Sequence, residues 1–219
     1  RYTLDGSDPT ETSNIYYGNP LVISGVSSEI TLKAKAFKSG YSSSDSTSDS
    51  YVFTLPEVSF NPVGGEYSNS IGLYLSQPVT GAVIRYALNG DIPTETTGTI
   101  FSGAPVSVAN GTVVKAIAYK SGWKTSQVKS QTYFLKLNKP IFITDSSKVY
   151  NSPVRVRIEV VPKSAKIKYT LDGSDPKTSS SAKEYASPIE VSSETTIKCY
   201  SLKEGWNDSE VEEKTYKFQ

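Results

Sequence analysis

Two pairs of carboxylates sit in the same local setting. Asp5 and Asp8 lie in Asp5-Gly6-Ser7-Asp8-Pro9, and Asp172 and Asp175 lie in Asp172-Gly173-Ser174-Asp175-Pro176. Clustered acidic and hydroxyl oxygens at this spacing could hold Ca²⁺. The same residues also suit a tight turn. An Asp before Gly tolerates the left-handed region, and a second Asp can accept from nearby backbone N–H groups. A further copy of the motif separates the two readings. It runs Asn89-Gly90-Asp91-Ile92-Pro93, with Asn89 and Ile92 at the carboxylate positions. Gly6, Gly90 and Gly173 persist, as do Pro9, Pro93 and Pro176, whereas the charge does not. The motif is therefore read as backbone geometry, with the four Asp residues as weak metal candidates.

A second group of residues is aromatic. Tyr41, Trp123 and Trp206 each follow a glycine, in Gly40-Tyr41, Gly122-Trp123 and Gly205-Trp206. An aromatic at a loop tip could stack on a sugar ring or anchor in a partner. Equivalent placement in three copies favours a structural use, as a plug at one end of a domain or a contact with the neighbouring one. The chain has one Cys, Cys199, and no intrachain disulfide can form. Its counterparts are Ala34 and Ala116, so the position calls for a small apolar side chain, and an inert buried thiol is expected.

Catalysis has little to work with. Without any His, the Ser-His-Asp and Cys-His arrangements are impossible and the commonest zinc ligand is missing. No carboxylate pair stands in a recognisable cleft-forming context. No glycine-rich loop precedes a helix, and nothing calls for a cofactor.

These residues belong to a repeat. Tyr2, Tyr86 and Tyr169 open the motif three times, at a period of about 83 residues. A second block follows each: Leu32–Tyr41, Val114–Trp123 and Ile197–Trp206. Tyr51, Tyr133 and Tyr216 close the units, each eleven residues beyond the block's glycine. The expected units are 1–55, 56–137 and 138–219. The linkers at Leu55-Pro56 and Asn138-Lys139-Pro140 are very short, which favours an extended rod of limited flexibility. The first unit lacks what should be its first two strands. Their roughly six inward side chains would bury on the order of 10 kcal/mol, comparable with a whole domain's net stability. The unit is therefore expected to need completion, by the rest of a longer polypeptide or by neighbouring copies donating strands.

The 219 residues carry a net charge of +1, 37% hydrophobic and 21% charged residues. That balance is ordinary for a globular chain and gives no electrostatic reason to expect nucleic acid or an anionic membrane. No apolar run approaches the roughly 20 residues of a membrane span. Fifteen Tyr, with Thr and Val, favour strands. In the second unit strands are expected at Val58–Phe60, Ser70–Leu75, Ala82–Leu88, Thr99–Phe101, Pro105–Val108, Thr112–Tyr119 and Gln127–Leu135. Short alternating segments with Gly, Pro and Asn-Gly punctuation indicate an all-β chain of tandem immunoglobulin-like or fibronectin-III-like β-sandwiches, the first incomplete. The Ser-rich run Ser42–Ser50 reads as a flexible or glycosylated surface, or as a solvated edge strand, since its counterparts form strands.

The pattern Tyr-Thr-x-Asp-Gly-Ser-x-Pro at Tyr169–Pro176, then Tyr185 to Ile189, then Lys115 to Ser126, resembles the chitobiase/β-hexosaminidase C-terminal type of domain and its fibronectin-III-associated relatives. The resemblance implies an immunoglobulin-like sandwich from secreted or surface proteins of bacteria, often beside carbohydrate-active domains, and no catalytic residues in these modules. In that setting the N-glycosylation patterns Asn110-Gly111-Thr112 and Asn207-Asp208-Ser209 carry little weight. The function expected is a stalk, spacer or filament segment of an extracellular protein. The alternative is a polysaccharide-binding or adhesion module using Tyr41, Trp123 and Trp206.

Overall fold

The computed structural model describes residues 1–23 and 29–219. Among these the regular elements are all strands. The first unit contributes β1 (Tyr2–Thr3), β2 (Glu29–Ala34) and β3 (Thr47–Val52). The second contributes β4 (Ser59–Asn61), β5 (Gly65–Tyr67), β6 (Gly72–Ser76), β7 (Val83–Ala87), β8 (Thr99–Ile100), β9 (Val106–Ser107), β10 (Thr112–Tyr119) and β11 (Lys129–Leu135). In the third come β12 (Ile141–Phe142), β13 (Val149–Tyr150), β14 (Val154–Val156), β15 (Ile158–Glu159) and β16 (Lys166–Thr170). It is completed by β17 (Lys183–Glu184), β18 (Ile189–Val191), β19 (Thr195–Leu202) and β20 (Glu212–Phe218).

The second unit is a two-sheet sandwich. One sheet runs β5-β11-β10-β7-β8, the other β4-β6-β9. The alternation in β6 turns Leu73 and Leu75 inward and leaves Tyr74 outside. They meet Val114, Ala116 and Tyr133 from the opposite sheet, all three fully buried. The third unit repeats the plan as β13-β20-β19-β16-β17, facing β14-β18 and β12-β15. There β14 and β15, separated by Arg157 alone, together take the part of β6. Cys199 sits fully buried where Ala116 sits in the second unit.

One strand escapes the sequence reading. β5 is three residues long and pairs parallel with β11, Tyr133 opposite Gly65. Its neighbour Gly64 explains the omission. A side chain there would come within 2.5 Å of the Gln131 side chain and 2.7 Å of the Thr132 carbonyl. Glycine permits the close approach, but it also erases the β-branched signal by which a strand is recognised. The third unit has the same parallel pairing, Val149 opposite Lys217.

In the first unit the strands β1-β2-β3 form one sheet, matching β7, β10 and β11. Within the described residues nothing corresponds to β4, β5 or β6. Tyr51 is consequently 40% exposed, while Tyr133 and Tyr216 are 0% exposed.

Candidate functional site: motif turns, loop tips and module joints

Each motif turn is built the same way. Gly6, Gly90 and Gly173 have φ of 78°, 80° and 75°, the left-handed region that glycine enters without a Cβ penalty. The Asp5 carboxylate accepts from the Ser7 N–H at 3.0 Å and its hydroxyl at 2.6 Å. Asp172 accepts likewise from Ser174 at 3.0 and 2.5 Å, and from the Ser181 hydroxyl at 2.7 Å. Asn89 does the same work without charge, its side-chain oxygen accepting from the Asp91 N–H at 3.2 Å. The hydrogen bonds from Ser174 and Ser181 hold the Asp172 carboxyl down at about 2, and those from Ser7 lower Asp5.

The second carboxylate of each pair faces elsewhere. Asp8 pairs with Lys33 at 2.9 Å, which lowers its pKa, and Asp175 accepts from the Lys177 N–H at 2.9 Å. Among the described residues no three His, Cys, Asp or Glu side chains gather as a metal-binding group. The prolines Pro9, Pro93 and Pro176 are buried in all three units while the neighbouring Asp or Ile stays exposed. The motif thus couples a left-handed glycine to a buried proline, and the acidic oxygens accept from N–H and hydroxyl groups of the turn or, for Asp8, from Lys33.

The loop tips are also one repeated structure. Gly40, Gly122 and Gly205 carry φ of 81°, 75° and 74°. The N–H of Tyr41, Trp123 and Trp206 donates to the carbonyl of Lys38, Lys120 and Lys203 respectively. Each ring then lies under that lysine's ammonium, at 4.6, 5.3 and 4.4 Å. Three residues on, Ser126 and Ser209 are buried, their hydroxyls accepting from the N–H of Ala118 and Ser201 at 2.9 Å. Ser44 makes the equivalent bond to the Ala36 N–H at 3.0 Å in an exposed setting. The Ser in the Gly-aromatic-x-x-Ser pattern is thus a staple closing the loop on its strand. Of the Ser-rich run, Thr47–Ser50 lie in β3 and Ser42–Ser46 lie outside any strand.

The tip of the second unit stands at the joint with the first. Trp123 packs on Phe53 of the preceding unit with ring centroids 5.3 Å apart. The residue after the ring then clasps the exit strand. Lys124 donates its N–H to the Phe53 carbonyl at 2.7 Å, and its own carbonyl accepts from the Leu55 N–H at 2.9 Å. The next joint repeats this bond for bond: Asn207 donates to the Leu135 carbonyl at 2.8 Å and accepts from the Leu137 N–H at 3.0 Å. Leu55 and Leu137 are buried, Leu55 in the core of the second unit. One strand therefore closes one sandwich and enters the next.

Side chains reinforce the second joint. Asn110 donates to the Asn207 side-chain oxygen at 2.8 Å and accepts from the Leu135 N–H at 2.8 Å. These are the asparagines of the two glycosylation patterns, and they face each other across the joint. The Ser201 hydroxyl, in a fully buried residue, donates to the Asn138 carbonyl at 2.7 Å. Lys136 lies 3.4 Å from Glu210 of the third unit and 3.9 Å from Glu66 of the second. Sequence reasoning missed the joint roles of Lys124 and Asn207, because a backbone clasp leaves no requirement on side-chain type, and that of Asn110, because its side-chain partners come from Leu135 and from the next unit.

Structural likenesses are low in identity and local overlap. The fibronectin(III)-like modules of Clostridium thermocellum CbhA are 14% identical, with 74% of this chain and 94% of that chain covered and a TM-score of 0.27. Domains 7, 8 and 9 of the S-layer protein SbsC are 10% identical, covering 87% and 69%, at a TM-score of 0.27. Drosophila N-cadherin EC1-3 is 8% identical, covering 90% and 78%, at a TM-score of 0.23. No curated protein sequence matches the chain. A family profile described as the chitobiase/beta-hexosaminidase C-terminal domain matches residues 1–48, 62–131 and 144–213. Every match contains a left-handed motif turn and a stapled loop tip, and the exit residues Thr54 and Lys136 of the joints fall between the matched segments. With three such matches along it, the chain belongs to the chitobiase/β-hexosaminidase C-terminal domain family.

Proposed function

We propose that the chain is a non-catalytic structural array, a stalk, spacer or filament segment of an extracellular or cell-surface bacterial protein. The observation that carries this reading is the repetition of the joint. Lys124 and Asn207 clasp their exit strands through the same pair of backbone hydrogen bonds. A joint of this kind holds neighbouring sandwiches at a set angle, whereas a loose linker would let them tumble. The family and the immunoglobulin-like fold support a location outside the cell and a supporting task.

Small-angle scattering on the chain tests the reading. Expected is a narrow distribution of maximum dimension that broadens in N207P, which lacks the N–H donated to Leu135. A broad distribution in the wild type contradicts it.

The polysaccharide-binding alternative has one open ring in its favour, Tyr41 at 70% exposed. Trp123 and Trp206 are partly buried. Retention on an insoluble polysaccharide that is lost in Y41A would support this alternative; no retention on any polysaccharide would count against it.

A further inference from the structure

The smaller sheets of the second and third units match in fold and differ on their outer faces. In the third unit β12 pairs with β15, Ile141 opposite Glu159 and Phe142 opposite Ile158. Phe142 and Ile158 turn inward and pack in the core. By alternation Ile141, Ile143 and Glu159 turn outward. Arg157 lies between the buried Val156 and Ile158 and turns outward too. Its guanidinium is 3.5 Å from the Glu159 carboxylate, so both share one face. The Ile143 N–H donates to the Arg157 carbonyl at 2.9 Å. The face thus carries two rows, Ile141 beside Glu159 and Ile143 beside Arg157.

Ile141 and Ile143 are each about half exposed, and exposed Val161, two residues past Glu159, widens the apolar surface. Single exposed hydrophobics are ordinary. Here the sister unit supplies a control. There β4 pairs with β6 in the same way, Ser59 opposite Ser76 and Asn61 opposite Tyr74. Ser59 and Asn61 flank the inward Phe60, as Ile141 and Ile143 flank Phe142. The fold therefore builds this edge strand from polar residues and does not call for isoleucine. Nor does it call for charge, since Ser76 and Tyr74 stand in place of Glu159 and Arg157. Among the described residues β12 pairs with β15 alone.

We propose that this face of the third unit binds the same face of a second copy of the chain. The charges select the geometry. With the two-fold axis in the interface and across the strands, the copies run antiparallel and each row meets the other. Ile141 then packs on Ile143 of the second copy, and Glu159 meets its Arg157. With the axis along the strands, Ile141 would cover Glu159 and Ile143 would cover Arg157, setting charges against hydrocarbon. The antiparallel pair satisfies itself twice, as a two-fold contact must. Arg155 and Glu190, 3.5 Å apart, supply a polar rim. The patch falls well short of the roughly 20–30 residues a side of a standard interface, so the pairing is weak, with Kd on the order of 100 µM. The inference goes beyond the array reading, since it concerns one sheet face and not the joints.

Sedimentation equilibrium on the full 219-residue chain, from about 10 µM to about 1 mM, tests the proposal. Expected is a mass that rises from one chain towards two and no further. I141S/I143N, which installs the second unit's residues, should weaken association at least about tenfold. R157E and E159R should each fail to associate alone, because like charges then face each other. An equimolar mixture of the R157E and E159R chains should recover the pairing, because opposite charges meet again across the contact. That recovery separates a contact between copies from the Arg157–Glu159 pair within one chain. Both side chains are exposed, so these variants leave the core untouched. A single-chain mass at about 1 mM overturns the proposal. So does association undiminished by I141S/I143N or by R157E, growth beyond two chains, or a mixture that stays monomeric while the wild type pairs.

Discussion

At the residue scale, the glycine of the motif turn matters more than its acid. Gly173 has φ of 75° and nothing within 4 Å of where a Cβ would stand, so Gly173→Ala costs the backbone strain alone. That is about 1–2 kcal/mol, measurable by urea unfolding. D172N keeps an acceptor for the Ser174 N–H, as Asn89 does for the Asp91 N–H, so the turn should persist while the Asp172 share of the acid-side loss disappears. Cys199 is fully buried, and burial, with Glu212 nearby, pushes its thiol up to about 12. It should stay unreactive towards a disulfide reagent at pH 8 and react once the chain is unfolded.

The shifted groups also set the pH window. Tyr133 and Tyr216 are raised by burial from 10.0 to about 12, and Cys199 from 9.0 to about 12. A raised folded pKa gives stability that is complete below the unfolded value and lost as pH climbs through the folded one. Asp172 is lowered from 3.8 to about 2, so its share is complete above the unfolded value and lost as pH falls towards 2. Chemical denaturation against pH should therefore show a plateau with losses beginning above about 9 and below about 4. Y216F should flatten part of the alkaline loss.

At the scale of elements, the joint is the feature to perturb. Asn110 satisfies both the Leu135 N–H and the Asn207 side chain. Asn110→Ala leaves both unpartnered and should cost about 1–3 kcal/mol, with faster exchange of the Leu137 and Asn207 amides as the local readout. Trp123→Ala removes the ring that covers Phe53 and should destabilise the first joint by about 2 kcal/mol. Surface pairs such as Lys129–Glu57, at 2.8 Å, contribute little by comparison.

For the whole molecule, the three units should not be equally stable. The second and third each close a core between two sheets, and the first presents one sheet and an open groove. Amides of β2 and β3 should exchange at least about tenfold faster than those of β10 and β11, since local opening there uncovers little further apolar surface.

Much of this was legible in the residues. The repeat, the all-β class, the left-handed glycines and the buried thiol position follow from local pattern, because backbone φ and side-chain alternation are local demands. The short β5 was not legible, since Gly64 is there for a close approach that only folding creates. Nor were the joints: Lys124 and Asn207 act through backbone atoms that every residue but proline carries whole. Sequence by itself determined what each unit is. Tertiary structure alone decided how units join. Main-chain pairing between distant segments leaves almost no mark on side-chain identity.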